Sequence, residues 1–451
     1  MTTGSAATDE PPRRRSRLLP VLALGAVVLV AGLFLVLQAA PGQPAADPRL
    51  IVSRSFATDA GVQVPLDPAV VGDGATVSAV DPPAHGRTVL SGTTVDYVPD
   101  AGYLGDDTFS YLVTLPGGGT AVGRVDVRRR CALSSTLVPS CGAWWGAAQV
   151  PGGADDLRGF AARVGGTVPV AHVYARDGET FPTAAERDLV APGGPSTLLF
   201  GNIKPDLQPS ATLTWGEVAQ GGADGYLDTV AASVSRLGRP VLLTVNHEPE
   251  EEVDATAGSG RTAADYVAMF RHVVQYVDAR VGPDQVVWVW DVTGYPRWES
   301  LWPQLYPGDD VVDWVAYDPY LQDPTGCDFT CVVNRTYAEY PQWPGFYDWA
   351  TQQFPDKPLM LAEWGVRESP TQPGTAKAAV FASAPSTLPQ FPRLRAVVYF
   401  NDAKDPADPT SSRIETSQQS LDAFTTMVAS PYLASAGSNS PVGSSPGSSG
   451  G

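Results

Sequence analysis

The sequence predicts an α/β protein, a (β/α)8 TIM barrel preceded by a small N-terminal β-sandwich and an N-terminal transmembrane helix. Three observations predict this class. Short apolar runs alternate with helical stretches from Cys131 to Leu433, a length of some 300 residues that suits a TIM barrel. A segment rich in Val, Thr, Gly and Pro, with regularly spaced turn signals, precedes them. A long apolar run lies near the N-terminus.

That apolar run predicts a membrane anchor. Four arginines among residues 13–17 precede the stretch from Leu18 to Leu37, which at ~1.5 Å per residue spans ~30 Å, the thickness of a bilayer core. Because the basic flank stays in the cytoplasm, we predict a cytoplasmic tail at 1–17, a signal anchor in the bacterial membrane at 18–40, and an extracellular remainder. The alternative is a cleaved signal peptide, which would release a secreted protein.

The β-sandwich is predicted over residues 47–130. Its clearest strand is Thr108 to Val113, where Phe109, Tyr111 and Val113 share one face at a period of two. The stretch from Tyr97 to Val113 resembles the cadherin-like or immunoglobulin-like modules of bacterial surface proteins. That resemblance implies a spacer. It leaves two roles open for Asp106 and Asp107, a calcium site or a solvated turn.

The barrel is predicted over residues 131–433, and the Ser/Gly/Pro-rich tail 434–451 is predicted to be disordered. A helix is expected from Thr262 to Val281, where apolar residues follow helical spacing. A doubly wound sheet is the rival, but no glycine-rich nucleotide motif occurs where a strand meets a helix. The eight predicted strands are Gly142–Gly146, Val168–Val173, Ser196–Phe200, Val241–Val245, Val286–Trp290, Val312–Ala316, Leu359–Ala362 and Ala396–Phe400.

Charge and cysteine content exclude several classes of protein. The net charge of −18 repels phosphate backbones, so nucleic acid is not an expected partner. The four cysteines form two close pairs, Cys131 with Cys141 and Cys327 with Cys331, which predict local disulfides in an oxidising compartment. The alternative is zinc, but the four histidines are scattered and none lies at ligand spacing from a cysteine. We therefore expect no metal and no cofactor.

Two carboxylates follow predicted strands on opposite sides of the barrel. Glu248 lies just after the fourth strand and Glu363 ends the seventh. Because polar residues at the C-terminal ends of barrel strands point into the site, the two carboxyls can meet over one bond. A retaining glycosidase needs such a pair, with one group as nucleophile and the other as acid/base. For either glutamate alone, a helix cap or a surface position is an equally ordinary role.

The region from Cys141 to Phe400 resembles glycoside hydrolase family 26, which includes the β-mannanases. The family's His-Glu pair matches His247 and Glu248. The resemblance makes Glu248 the acid/base and His247 its neighbour. The family's AEWG-like segment matches Glu363 as nucleophile. The stretch Tyr306 to Tyr320 resembles the family's strand-six signature, and its Asp-x-Tyr ending places Asp318 and Tyr320 near the site. By that resemblance, Tyr320 is expected to orient the nucleophile. Core packing is the alternative for Tyr320, and a supporting position for His247.

Further substrate-binding candidates come from strand ends, where tryptophans would stack on sugar rings; core packing explains them equally well. The sequence also departs from the family: HEPEEEVD replaces the HEMNG segment, Thr244 replaces an arginine, and the run from Glu250 to Asp254 is either a cation or cationic-glycan site or a solvated loop. The candidates are Trp144, Trp145, His172, Tyr174, Arg176, Asp177, Trp290, Asp291, Tyr399, Asn401 and Asp402.

Together these features predict a membrane-anchored, extracellular, retaining endo-β-glycanase similar to β-mannanases, with a β-linked polysaccharide as substrate. The first alternative is a barrel that has lost catalysis and binds glycans, or that processes the cell's own polymer. The second is a structural adhesin, which would leave the paired carboxylates unexplained.

Overall fold

A computed structural model describes residues 55–58, 62–66, 73–100, 106–129, 131–149, 153–175, 178–190, 197–208, 211–282, 284–402, 404, 406–408 and 410–433. The predicted cytoplasmic tail, membrane anchor and Ser/Gly/Pro tail lie outside these residues, as do Arg176 and Asp177. Within them, none of the helices combines the length and the apolar character that a bilayer span requires.

The N-terminal domain is a sandwich of two sheets. In the larger sheet, Asp107–Thr114 pairs antiparallel with both Thr120–Arg129 and Thr76–Val80, and Ser55–Thr58 joins in parallel. The smaller sheet is antiparallel and contains Val62–Pro65, Thr94–Pro99 and Gly86–Ser91. The side chains buried between the sheets include Val64, Val95, Tyr97, Phe109 and Val125.

The burial pattern of Asp107–Thr114 alternates strictly, so the predicted period of two on Phe109, Tyr111 and Val113 is confirmed. Asp107 itself is buried, and its carboxylate accepts hydrogen bonds from the amides of Ala84 and His85 at 3.2 and 3.1 Å and from Tyr97 Oη at 3.0 Å. Its oxygens are therefore used to hold the sandwich together. This differs from the solvated turn that the sequence suggested.

Eight parallel strands form a closed barrel, in which each strand pairs with the next in chain order and the eighth pairs with the first. All eight predicted strands are confirmed, although their bounds move by up to four residues. The strands are Trp144–Gln149, Val170–Ala175, Leu198–Ile203, Val241–Val245, Val286–Val292, Trp314–Tyr317, Leu359–Val366 and Leu394–Asn401.

Side-chain alternation along the strands produces two apolar layers, because successive residues point to opposite faces. Leu242, Val289 and Met360 point into the barrel and pack on one another. Val241, Leu243 and Trp288 point outward and pack under the helices. Toward the C-terminal ends of the strands, the inward positions change from apolar to polar residues. Those ends therefore form the mouth of the barrel.

The helices cover the outer layer. The longest, Ala263–Val281, begins after Thr262, whose side chain and backbone exchange hydrogen bonds with Asp265 in a capping box. The predicted helix from Thr262 is therefore confirmed to within one residue. The other α-helices are Gly153–Arg163, Ala184–Leu189, Trp215–Ala219, Asp224–Leu237, Trp302–Leu305, Thr330–Val333, Phe346–Gln353, Ala376–Thr387 and Gln418–Val428; single 3₁₀ turns occur at Pro249–Glu251, Pro296–Trp298, Leu388–Gln390 and Ile414–Thr416.

Both predicted disulfides are confirmed. Cys131 is bonded to Cys141 just before the first barrel strand, and Cys327 is bonded to Cys331 in the loop after the sixth. Each closes a short loop, so each constrains the unfolded chain only locally. None of the cysteines is free.

Candidate active site

Glu248 is placed by a sharp turn at the end of the fourth strand. Asn246 and Glu248 both adopt left-handed backbone conformations, with φ of 51° and 52°, which non-glycine residues adopt at a cost in strain. The turn is held by the amide of Glu248, which donates to the carbonyl of Asp291 on the fifth strand at 3.1 Å. The half-buried side chain of Glu248 thereby remains at the mouth of the barrel.

Glu363 is placed by a β-bulge in the seventh strand. Leu361 pairs with Val397 and Trp364 with Tyr399, so three steps along the seventh strand match two along the eighth. Such an extra residue redirects the side chains that follow it. Ala362 packs inside the barrel and Trp364 packs outside it, and Glu363 between them points into the mouth, with 6% of its surface exposed.

The carboxylate of Glu363 accepts a hydrogen bond on each oxygen. Tyr174 Oη, from the second strand, donates to Oε1 at 2.6 Å. Tyr320 Oη, from the loop after the sixth strand, donates to Oε2 at 2.5 Å. The amide of Glu363 donates to Asp318 Oδ1 at 2.8 Å. Side chain and backbone are thus both fixed, and two tyrosines stabilise the ionised form.

The two glutamates have different electrostatic environments. Burial, followed by the carboxylates of Glu363, Glu250 and Glu251, raises the pKa of Glu248 to about 8, while Lys204 acts in the opposite direction. Burial also raises the pKa of Glu363, but the hydrogen bonds from Tyr174 and Tyr320 lower it. Since no tyrosine or other donor of the described residues reaches the Glu248 carboxyl, it is the group that retains a proton near neutral pH, whereas Glu363 is the better-stabilised anion.

His247 lies beside the nucleophile candidate as a neutral ring. Its Nδ1 accepts from Asn202 Nδ2 at 2.5 Å, so Nε2 carries the hydrogen, and Nε2 lies 3.6 Å from Glu363 Oε1. Burial, and secondarily Lys204, lowers the pKa of His247 to about 3. Near neutral pH, His247 is therefore an uncharged hydrogen-bond donor through Nε2.

The same residues form the one group of metal-ligand type that the described part of the chain contains. Ligand atoms of His247, Asp318 and Glu363 lie within 4.8 Å of one another. However, His247 presents an N–H to this space, and both oxygens of Glu363 already accept phenolic hydrogens. The arrangement fits a hydrogen-bonded anion better than a metal centre.

The acidic run after Glu248, predicted to be a cation or cationic-glycan site or a solvated loop, is mixed in the structure: Asp254 is exposed, whereas Glu250, Glu251 and Glu252 have structural partners. Glu250 is 1% exposed, and its Oε1 accepts from the amide of Thr293 at 2.7 Å, from Thr293 Oγ1 at 2.8 Å and from Trp302 Nε1 at 2.9 Å. Glu251 pairs with Arg297, and Glu252 pairs with Lys204 and Arg261. Each of the three carboxylates therefore anchors the loop that carries Glu248.

The proposed sugar-stacking tryptophans are corrected by the structure. Trp144 is 3% exposed inside the base of the barrel, where its Nε1 donates to Leu137 O at 2.9 Å. Trp145 packs edge-on against Phe424 of the last helix, and Trp290 is fully buried against Tyr306 and Phe354. A ring that is packed on its faces offers none to a sugar.

His172 also differs from its predicted role in substrate binding. It is 1% exposed and stacks on Phe200 at a centroid distance of 4.1 Å. Its Nδ1 lies 3.1 Å from Ala362 O and 3.3 Å from Tyr174 Oη, so it supports Tyr174 from behind. Burial lowers the pKa of His172 to about 3.

The remaining strand-end candidates have structural partners or lie deeper. Tyr399 and Asn401 are fully buried, and Asn401 Oδ1 accepts from the amide of Ile414 at 2.9 Å. Asp402 caps the loop after the eighth strand by accepting from Ser412 N at 2.8 Å. Asp291 is buried inside the barrel. Within the described part of the chain, none of these four side chains forms a hydrogen bond with the side chain of Glu248 or Glu363.

Sequence reasoning missed Asn202 and Lys204. The third strand was predicted to end at Phe200, but it continues to Ile203, so the inward-facing Asn202 was not considered. Strand alternation from Phe200 would have identified Asn202, because both point into the barrel. Tyr174 was a candidate, but its contact with Glu363 joins residues that are 189 positions apart, and the sequence gives no signal for that pairing.

Comparison with known proteins finds two family models that match parts of the chain. Residues 44–128 match the bacterial Ig domain family, and residues 216–338 match glycosyl hydrolase family 26. The second match includes His247, Glu248, Asp318 and Tyr320, and it ends before Glu363.

Two curated relatives are beta-1,3-xylanases. One, from an Alcaligenes species, is 33% identical over 170 residues, covering 35% of this chain and 31% of the relative. The other, from a Vibrio species, is 30% identical over 147 residues, covering 32% of this chain and 28% of the relative. The matches thus span about a third of the length of these relatives.

Similar solved structures include two mannanases. The catalytic domain of a Bacillus family 26 endo-beta-1,4-mannanase superposes with a TM-score of 0.46 at 15% identity, covering 65% of this chain and 87% of that one. A Bacillus subtilis mannanase gives a TM-score of 0.44 at 17% identity, covering 64% and 85%.

Proposed function

We propose that this protein, whose barrel carries a glycosyl hydrolase family 26 domain, is a retaining endo-β-glycanase that uses Glu363 as nucleophile and Glu248 as acid/base. The observation that carries the proposal is the difference in hydrogen bonding and pKa between the two carboxyl groups at the mouth of the barrel. Two tyrosines donate hydrogen bonds to Glu363, whereas burial and neighbouring carboxylates raise the pKa of Glu248 to about 8.

The proposed reaction is a double displacement. A carboxylate oxygen of Glu363 attacks the anomeric carbon, and the bond to the leaving sugar breaks as Glu248 transfers its proton to the glycosidic oxygen. Glu248 is then ionised and takes a proton from water, whose oxygen attacks the anomeric carbon and releases Glu363. The carboxylates of Glu248 and Glu363 repel each other only while Glu363 is not bonded to the sugar. Forming the covalent intermediate therefore lowers the pKa of Glu248 for its second role.

The floor of the proposed sugar site is apolar and held by the same tyrosines. Phe400 is half-buried at the end of the eighth strand, and its ring lies edge-on to Tyr174 and Tyr320 at centroid distances of 6.3 and 6.2 Å. Such a ring offers contact to the carbon face of a sugar without introducing charge. His247 Nε2–H, beside Glu363, is placed to donate to a sugar hydroxyl.

For the substrate, we propose a β-linked neutral polysaccharide, with β-1,3-xylan as the first candidate. The curated relatives at 33% and 30% identity are beta-1,3-xylanases. β-Mannan, which the sequence resemblance alone suggested, is the second candidate, because the match covers the acid/base segment of family 26.

The test is release of reducing sugar by the full chain in detergent from β-1,3-xylan, β-1,4-mannan, β-1,4-xylan and bacterial wall polysaccharide. Glu363→Gln and Glu248→Gln are compared with the control Asp356→Asn. Asp356 is exposed in the turn that precedes the seventh strand, at the opposite end of the barrel. Hydrolysis of one polymer that both Gln variants abolish, and that the control retains, supports the proposal.

Binding of a polymer without hydrolysis by the wild-type chain would instead favour a non-catalytic glycan-binding barrel. Loss of activity in the Asp356→Asn control as well would mean that the Gln variants report on folding. Thermal unfolding of each variant separates that case from a loss of catalysis.

We further propose that the barrel works outside the cell, tethered to the membrane. Support comes from the arginines before Leu18 and the uncharged stretch to Leu37, together with two disulfides that need an oxidising compartment. Membrane fractionation with and without residues 1–40, combined with protease access in intact cells, tests this. Recovery of the full-length protein in the cytosol would overturn the proposal.

A further inference from the structure

Below the two glutamates, two aspartates face each other inside the barrel. Asp291 lies in the fifth strand and Asp318 directly follows the sixth, whose Ala316 pairs with Asp291. The amide of Asp318 donates to Val292 O at 3.1 Å, which holds the two chains together at this point. Both side chains are 0% exposed. Their alternation with the inward-facing Val289 and Ala316 directs both carboxyls into the barrel.

The hydrogen-bond donors around this pair are too few for two ionised carboxylates. Asp318 Oδ1 accepts the amide of Glu363 at 2.8 Å. No N–H or hydroxyl group of the described residues donates to Asp318 Oδ2 or to either oxygen of Asp291. The two side chains lie within hydrogen-bonding reach of each other. A hydrogen bond between two carboxyl groups requires a hydrogen on one of them, and that hydrogen would supply the donor that these oxygens lack.

The surrounding charges act against double ionisation. The carboxylates of Glu363, Glu248 and Glu250 all face Asp291, and those of Glu363 and Glu248 also face Asp318. Among the described residues, no Lys or Arg forms an ion pair with either aspartate; the nearby Lys204 pairs with Glu252. Neighbouring His247 is neutral. A second negative charge would be buried without compensation, which is costly.

We propose that Asp291 and Asp318 share a single proton, so that the pair carries one negative charge and presents Asp318 Oδ1 as a fixed acceptor for the amide of Glu363. The pair is a positioning device, because it holds the backbone of the nucleophile without contacting substrate. Its effect on catalysis rests on the proposed glycanase function. The shared proton itself does not.

The direct test is infrared difference spectroscopy of the full chain near pH 7, in a Glu248→Gln background that removes the protonated Glu248. Adding Asp291→Asn is expected to abolish one protonated-carboxyl C=O band, because the amide then supplies the hydrogen to Asp318. Asp318→Asn is expected to abolish the same band, because its amide then donates to an ionised Asp291. Persistence of the band in either variant, provided that the variant folds, would overturn the proposal.

The two variants also cover a failure to fold, since either one alone decides the comparison and circular dichroism identifies a misfolded chain. Because the measurement needs no turnover, it gives an answer even if the protein hydrolyses none of the polysaccharides tested. A failed glycanase assay with a positive infrared result would leave the shared proton in place and remove only its catalytic meaning.

A kinetic comparison tests the positioning role. Asn at position 291 restores the hydrogen and the charge of the pair, whereas Leu has a similar size and supplies no hydrogen. We expect kcat for Asp291→Leu to be at least about tenfold below that of Asp291→Asn, with similar KM. We also expect neither limb of the pH profile to move in Asp291→Asn. If Asp291 were ionised in the wild type, removing its charge would shift the basic limb down by about one pH unit, which would contradict the proposal.

Discussion

Tyr174 Oη donates to Glu363 Oε1 at 2.6 Å, which ties the second strand of the barrel to the proposed nucleophile on the seventh. His172 Nδ1 lies 3.3 Å from the same Tyr174 Oη, within hydrogen-bond distance. Together with Tyr320 on the other oxygen, this contact leaves no oxygen of Glu363 without a donor. Each carboxylate oxygen therefore has a defined direction in the site.

Tyr174→Phe is expected to lower kcat by about 10- to 100-fold with little change in KM, because a hydrogen bond to a charged group is worth about 1.5–3 kcal/mol. Since that bond lowers the pKa of Glu363, the acidic limb of the kcat/KM profile should move to higher pH. The matched control is Tyr276→Phe, in which the lost phenol donates to Asp228 on the outer helices. Equal losses in both variants would contradict the assignment.

Lys204→Met is expected to move the basic limb of the kcat/KM profile to higher pH by about half a unit to one unit. Lys204 lowers the pKa of Glu248, and its removal also leaves Glu252 less neutralised, so both effects have the same sign. Arg271→Met breaks an exposed ion pair with Asp310 and serves as the control. A shift to lower pH in Lys204→Met would mean that Glu248 is not the titrating acid.

Glu248→Gln is expected to stabilise the protein near pH 7. The pKa of Glu248 is about 8 in the folded state and about 4.3 in an unfolded chain. The folded state therefore holds a proton that the unfolded state releases, and wild-type stability is lost as pH rises from about 4 to 8. The glutamine lacks this penalty, which amounts to about 3 kcal/mol at pH 7 and vanishes near pH 4. Urea unfolding at both pH values measures the difference, and an equal difference at the two values would disagree.

Glu250→Ala is expected to lower the free energy of unfolding by about 3 kcal/mol, because three buried donors from Thr293 and Trp302 lose their acceptor. Glu251→Ala is the control, since that carboxylate is 43% exposed and pairs with Arg297 on the surface. Its expected cost is below about 1 kcal/mol. Similar unfolding energies for the two variants would show that Glu250 does not anchor the loop.

The sequence predicted the barrel because its signals are local. Alternating apolar runs located all eight strands, and the spacing from Thr262 to Val281 located the longest helix. Glu248 and Glu363 were found because they follow two of those runs. Strand ends were less accurate, since polar inward residues such as Asn202 and Asp291 look like the start of a loop.

The partners of the site residues were beyond sequence reasoning. The orientation of Glu363 depends on a β-bulge in the seventh strand and on a hydrogen bond from Tyr174, which lies 189 positions away in the sequence. The prediction that tryptophans stack on sugar rings was wrong for a related reason. Trp144 and Trp145 lie at the beginning of the first strand, at the base of the barrel, whereas the predicted strand Gly142–Gly146 placed them near its end. A shift of a few residues along a strand moves a side chain from the mouth to the core.

The measurement that tests the central claim most directly is the anomeric configuration of the first product, followed by proton NMR during hydrolysis of β-1,3-xylan or of whichever polymer in the panel is cleaved. Attack by Glu363 and then by water inverts the anomeric carbon twice, so the account predicts a β-configured product before mutarotation. An α-configured first product would show a single displacement and would contradict Glu363 as nucleophile.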